Sequence, residues 1–171
     1  KCAPDLPPAA DAQSVTTPED ITANITLTGN DPEGAALSFR VVTLPAHGVL
    51  TGTGPNTLSY APAPNYFGPD SFTFVVNDGA QDSAPATVSI TVTAVNDSPV
   101  ANPQTVTTPE DTALPITLAG SDLEGDTLTF GVITPPTKGA LSGTGPTLTY
   151  TPNANYHGPD SFGFGINDGN G

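Results

Sequence analysis

Carboxylates placed in turns are the residues of this chain whose type and spacing could do chemistry. Glu19 and Asp20 precede one β-type stretch, Asp31 and Glu33 sit in Asp-Pro-Glu-Gly, Asp70 precedes a Phe-rich stretch, and Asp78 lies in Asn-Asp-Gly. Glu110, Asp111, Asp122, Glu124, Asp126, Asp160 and Asp168 take the same turns a second time. The chemistry such a set suits is calcium binding, because that ion takes about 6–8 oxygen ligands and tolerates irregular geometry. Carboxylates clustered without a cation raise one another's pKa and weaken the fold. The plainer alternative is that Asp, Asn, Pro and Gly simply make good turns, and for Asp31 or Asp78 taken alone that reading is the better one.

The elements that must position these acids come as a repeat. Val15-Thr-Thr-Pro-Glu-Asp20 returns as Val106-Thr-Thr-Pro-Glu-Asp111, a spacing of 91 residues, and Gly68-Pro-Asp-Ser-Phe72 returns as Gly158-Pro-Asp-Ser-Phe162, a spacing of 90, with a one-residue gap near Asn56 between them. A period of that size is too long for a solenoid unit and fits one small all-β domain. The spacing of strand signals predicts about seven short strands per repeat, the count of a Greek-key sandwich: near 13–17, 21–28, 37–41, 49–51, 57–60, 71–76 and 87–93. In the last of these, Val88, Ile90 and Val92 face one way and Thr and Ser the other, the pattern of a half-buried strand. The division predicted is a Pro-rich leader over 1–12, repeat 1 over 13–97 and repeat 2 over 98–171. Repeat 2 stops at Asn167-Asp-Gly-Asn-Gly171 with nothing corresponding to 87–93, so it lacks its last strand. Either the chain continues beyond residue 171, or another chain donates the strand as in pilus-type assembly. In such a sandwich the loop after the second strand and the loop before the last share one end, so Asp122, Glu124 and Asp168 should converge at the end of repeat 2 that faces the linker.

Composition narrows the function classes. With 17 acidic and 3 basic residues the formal net charge is −14, which repels nucleic acid and anionic membrane surfaces. No apolar run is long enough to cross a bilayer, and any targeting segment has been removed or lies outside the chain. Cys2 is the single cysteine, without an intrachain partner, so no disulfide staples either repeat. Hydrolytic catalysis needs a base, a nucleophile and an orienting group in one cleft. His47 and His157 occupy non-equivalent places in the repeat and read as loop residues; no catalytic set is predicted. The recurring Tyr and Phe residues (Tyr60, Tyr66, Phe72, Phe74) read as core and corner packing, with Phe67 the one most exposed. Asn24-Ile-Thr26 fits the glycosylation sequon, a weak motif.

Pro-Glu-Asp at 18–20 and 109–111, Asp-x-Glu-Gly at 31–34 and 122–125, Gly-Pro-Asp-Ser-Phe, Asn-Asp-Gly at 77–79 and 167–169, and the linker Val95-Asn-Asp-Ser-Pro99 together resemble the cadherin-like, immunoglobulin-like tandem repeats of large bacterial surface proteins and adhesins. The resemblance covers the chain after residue 12. It implies an all-β fold of two tandem Ig/cadherin-like sandwiches and structural calcium shared at the junction by Glu19, Asp70, Asn96, Asp97, Asp122, Glu124 and Asp168. Outer sites would draw on Asp31, Glu33 and Asp78, with Asp5, and on Glu110 and Asp160. The short Asn96-Asp97 linker and Asp-x-Glu in place of Asp-x-Asp depart from the cadherin pattern and leave the number of ions open.

The reading that follows is a non-catalytic extracellular or cell-surface repeat, an adhesive spacer stiffened by calcium, whose partners are neighbouring repeats of the same or a longer chain. A filament subunit, a homopolymer built by strand donation into repeat 2, is the second reading. A glycan- or protein-binding module is the third.

Overall fold

The computed structural model describes residues 5–52 and 55–170; Cys2, Thr53 and Gly54 lie outside them. The chain divides into two compact units, Lys1–Val95 and Asn96–Gly171. The described residues form strands and turns only, and no helix among them is long and apolar enough to cross a membrane. The fold is all-β and Ig/cadherin-like.

Unit 1 runs through β1 (Ala9–Ala10), β2 (Gln13–Pro18), β3 (Ala23–Thr26), β4 (Gly29–Asn30), β5 (Ser38–Thr43), β6 (Gly48–Gly52), β7 (Thr57–Pro62), β8 (Gly68–Asn77) and β9 (Ala86–Thr93). Two sheets carry it, one ordered β2-β9-β8-β5 and the other β3-β7-β6, with a small β1-β4 pair beside them. β9 is parallel to β2, matching Val15 to Ile90, and antiparallel to β8, matching Phe72 to Val88. Its burial alternates without a break, so Ala86, Val88, Ile90 and Val92 enter the core against Phe72, Phe74 and Val76 from β8, Ile25 and Tyr60 from the other sheet, and Leu27 just past β3. The alternation of the sequence is therefore the pleat of a strand with one face on the core.

The expected leader is partly structured. Ala9 pairs with Asn30 and Ala10 with Gly29, and Pro8 is buried. A two-residue bridge preceded by two prolines shows no period, which is why it reads as linker from sequence.

Unit 2 repeats the plan with β10 (Val100–Asn102), β11 (Leu114–Thr117), β12 (Ala119–Ser121), β13 (Thr129–Thr134), β14 (Gly139–Thr144), β15 (Thr147–Pro152) and β16 (Gly163–Asn167). They pair as β11-β15-β14, β13-β16 and β10-β12. Residues 103–109 and 158–162, the counterparts of β2 and the first half of β8, belong to no strand. The buried core shrinks to Ile116, Leu118 and Leu148, with Phe162 and Phe164 only partly covered, whereas Phe72 and Phe74 are 1% and 0% exposed.

One tyrosine–aspartate clamp recurs in both units. Asp70 accepts hydrogen bonds from the N–H groups of Ala46 (2.9 Å), His47 (3.0 Å) and Ser71 (2.8 Å) and from the Tyr60 hydroxyl (2.8 Å). Asp160 does the same with Thr137, Lys138, Ser161 and Tyr150. Each clamp ties the β5–β6 or β13–β14 turn to the opposite side of its sandwich. The tyrosine ring can reach because it lies flat over a glycine of the neighbouring strand: a Cβ at Gly48 would strike Tyr60, and one at Gly139 would strike Tyr150. Burial alone would raise the Asp70 carboxyl, but its four donors outweigh that and hold it below the ordinary range; Asp160 behaves alike. Burial, then the bond to Asp160, pushes the Tyr150 hydroxyl up to about 12.

Gly48→Ala should cost unit 1 about 1–3 kcal/mol or more in denaturant unfolding, since neither the ring nor the Ala61 carbonyl can withdraw cheaply. Because the folded pKa of Asp70 lies below the unfolded value of about 3.9, its stabilisation is complete above that pH and is lost as pH falls through the folded pKa. Urea midpoints measured from about pH 6 down to about pH 2 should therefore fall on the acid side. Asp70→Asn should lower the neutral plateau by about 1–3 kcal/mol and flatten that fall.

Candidate metal centres

In unit 2 the candidate residues meet at the Asp-x-Glu-Gly turn. Asp122 Oδ1 accepts the Asp126 N–H at 2.9 Å, curling the turn on itself, and Gly125 closes it with a left-handed φ of 81°, a conformation glycine adopts without strain. Glu124 Oε2 accepts the Asp97 N–H at 3.1 Å, which draws the start of the unit onto the turn. Asp168 Oδ2 accepts from Asn96 Nδ2 at 2.8 Å, and its Oδ1 from the Asn170 N–H at 2.9 Å. These two bonds, the backbone one first, hold the Asp168 carboxyl below the ordinary range. Asn170 Nδ2 joins Asn96 Oδ1 and Asp126 Oδ2. Asn96, Asp97, Asp122, Glu124 and Asp168 thus belong to one connected group, and Asp126 and Asn170 join it.

The bonds leave two oxygens over. Asp122 Oδ2 and Glu124 Oε1 are buried and have no hydrogen-bond partner. A buried carboxylate oxygen facing no donor is costly unless something positive reaches it.

Unit 1 carries the same construction. Asp31, 7% exposed, accepts the N–H groups of Glu33 and Ala35 on Oδ1, and Asp78 accepts those of Ala80 and Gln81 on its own Oδ1. Glu33 Oε2 receives the Leu6 N–H at 3.4 Å, the counterpart of the Asp97–Glu124 bond, and Gln81 Nε2 reaches Asp5. Again the remainder is unpartnered and buried: Asp31 Oδ2 and Asp78 Oδ2. The donors to Asp78, that of Gln81 foremost, lower its pKa.

The other candidates are employed differently. Glu19, only 2% exposed, accepts the Val95 N–H at 2.6 Å on Oε1, with Oε2 buried and unpartnered. Asp70 and Asp160 have all four carboxylate positions committed to the clamps, so their present role is to fix turns. Glu110 is exposed. His47 stacks flat on Tyr66, ring centres 4.2 Å apart, and Phe67 is 40% exposed. Among the described residues no three His, Cys, Asp or Glu side chains close around a common metal position. An ion at either turn would therefore draw on amide or backbone carbonyl oxygens as well as the two unpartnered carboxylates. The donor set is all oxygen, which fits a hard cation such as calcium. Sequence reasoning passed over Asp126 and Asn170 as site residues; the signal was their place beside Asp122 and Asp168 in turns already marked.

The bacterial Ig domain model matches residues 4–91 and again residues 96–171. Integrin beta-like protein A of Dictyostelium discoideum is 33% identical over 150 residues, covering 74% of the chain, which in turn spans 8% of the length of that relative. Extracellular cadherin domains 3–6 of protocadherin gamma B2 share the fold with a TM-score of 0.60 at 14% identity, over 86% of this chain and 39% of that one. Domains EC1-2 of human mucin-like protocadherin do so with a TM-score of 0.52 at 16% identity, over 93% and 95% of the two chains. A chain matched twice, over nearly its whole length, belongs to the bacterial Ig domain family.

Proposed function

We propose that this chain is a non-catalytic adhesive spacer of an extracellular or cell-surface protein, whose repeats bind structural calcium at the Asp-x-Glu-Gly turns. The observation that carries the reading is the pair of buried, unpartnered oxygens Asp122 Oδ2 and Glu124 Oε1; in unit 1 Asp31 Oδ2, the counterpart of Asp122, is bare as well, and so is Asp78 Oδ2. A cation at the second turn would compensate that pair and hold Asn96 and Asp97 in place, since Asp97 already bonds Glu124 and Asn96 already bonds Asp168. It would thereby fasten the first residues of the unit. Membership of the bacterial Ig family and the cadherin-type fold support the adhesive side of the proposal. The partners it implies are neighbouring repeats.

Calcium titration after chelation, followed by thermal unfolding, tests it. The melting temperature should rise with calcium, by an amount equivalent to about 2.7 kcal/mol at a hundredfold excess over Kd. Glu124→Gln and Asp122→Asn should each cut the rise at unit 2, while Asp160→Asn, which touches a clamp already satisfied by protein donors, should leave the calcium-dependent increment intact. An unchanged melting curve across the titration would reject calcium and leave these carboxylates as turn-formers.

A further inference from the structure

The two Asp-x-Glu-Gly turns share one backbone and differ in their side chains. In unit 2, Asp122 Oδ1 accepts the Asp126 N–H and Asp168 Oδ1 the Asn170 N–H. In unit 1, Asp31 Oδ1 accepts the Ala35 N–H and Asp78 Oδ1 the Ala80 N–H. Gly34 and Gly125 close the two turns at φ 79° and 81°. Ala35 and Ala80 therefore hold the places of Asp126 and Asn170 on the same main-chain bonds. Leu6, whose N–H meets Glu33, likewise holds the place of Asp97, whose N–H meets Glu124. Three oxygen-bearing side chains of unit 2 are thus replaced by hydrocarbon in unit 1, whereas the exchange of Asn96 for Asp5 keeps an oxygen in both.

We propose that the turns are unequal cation sites, that unit 2 holds the tighter one, and that Asp126 and Asn170 set the difference; this rests on the reading that the turns bind calcium. Charge is the first reason. The equivalent positions carry five carboxylates in unit 2 (Asp97, Asp122, Glu124, Asp126 and Asp168) against four in unit 1 (Asp5, Asp31, Glu33 and Asp78), and calcium affinity rises with the charge of the ligand set. Burial is the second. Glu124 is half-buried with a bare, buried Oε1 next to the bare Oδ2 of Asp122, whereas Glu33 is exposed. Both acids of the motif therefore offer a buried bare oxygen in unit 2, and only the aspartate does in unit 1. Order is the third. Asn170 Nδ2 donates to Asp126 Oδ2 at 2.7 Å and to Asn96 Oδ1 at 2.8 Å, tying the Asp122–Asp126 turn to the start of the unit. Ala35 and Ala80 have no polar side-chain atom with which to make such a tie. Oxygens already held in place lose less freedom when an ion gathers them.

The same amides also compete with the ion. Asn170 Nδ2 lies on Asp126 Oδ2 and Asn96 Nδ2 on Asp168 Oδ2, so a cation reaching those oxygens displaces both donors. The exchange favours the cation, because a neutral N–H gives way to a full double charge, and an amide that turns over presents its Oδ1, an oxygen calcium accepts. At limiting calcium the turn of unit 2 fills first and fastens Asn96 and Asp97 before the turn of unit 1 is loaded.

The test titrates calcium into the chelator-treated 171-residue chain and follows the amide resonances of Gly125 and Gly34, one in each turn, by NMR. The Gly125 midpoint is expected at a calcium concentration at least about tenfold below that of Gly34. Asp126→Ala combined with Asn170→Ala should raise the Gly125 midpoint by about that factor and leave Gly34 in place. The reciprocal pair, Ala35→Asp with Ala80→Asn, lies at exposed positions and should lower the Gly34 midpoint while leaving Gly125 in place; circular dichroism verifies that both variants fold. Equal midpoints, the reverse order, or midpoints indifferent to both pairs would overturn the hierarchy and leave calcium binding intact. No shift of either glycine across the titration would reject calcium at the turns altogether, and the hierarchy with it.

Discussion

The constraint on which the rest of this protein depends is that a sandwich of this size is closed by one strand. β9 is hydrogen-bonded to β2 on one edge and β8 on the other, and it sends Ala86, Val88, Ile90 and Val92 into the core. Full burial of a Val or Ile side chain contributes about 1.5–3 kcal/mol, and the strand also gives both neighbours their ladder partners. Among the described residues, unit 2 shows the same architecture without that element. The segment homologous to β2 is no longer a strand, the first half of the β8 counterpart is irregular, and Phe162 and Phe164 are only partly buried where Phe72 and Phe74 are fully so. β2 is thus a strand because β9 is beside it: its own sequence, Gln-Ser-Val-Thr-Thr-Pro, is nearly repeated at 104–109 as Gln-Thr-Val-Thr-Thr-Pro. Pairing, more than intrinsic propensity, decides the state of that segment.

The acids divide by how many donors surround them. Asp70 and Asp160 each meet four donors and act as clamps. Asp31, Asp78, Asp122 and Glu124 each satisfy one oxygen and leave the other buried and bare. A protein with 17 acidic and 3 basic residues has few cations of its own to spend on such oxygens, and its one described ion pair, Arg40 with Asp82, lies exposed. Asp31 and Asp122, bare at the equivalent turn of both repeats, share one structural cause, the Oδ1 that curls the turn and so commits only half of the carboxylate.

Most of the fold was legible because its signals are periodic. The alternation of 87–93, the Phe-rich run after Gly-Pro-Asp, and the Gly-closed turns each carry one local rule, and each became the element expected. The turn at 122–125 was legible for the same reason, with glycine where the backbone needs a positive φ. What was not legible depends on contacts remote in sequence. Asp70 and Asp122 look alike as turn acids, yet one meets Tyr60 and the turn residues Ala46 and His47 while the other meets only its own turn. The β1 bridge is two residues long and has no period. The roles of Asp126 and Asn170 come from amide contacts bridging 44 and 74 residues.

Strand closure and acid placement are mechanically linked at the base of unit 1. Glu19 donates its backbone N–H to the Thr93 carbonyl at 2.9 Å and accepts the Val95 N–H on its side chain. The last strand residue and the chain just beyond it therefore bury Glu19 and leave its Oε2 bare. Glu110 occupies the same place in the repeat, in the same Thr-Pro-Glu-Asp context, and is exposed. The difference between the two glutamates lies in neither their local sequence nor their intrinsic chemistry; it is the presence of a strand whose exit supplies a carbonyl and an N–H.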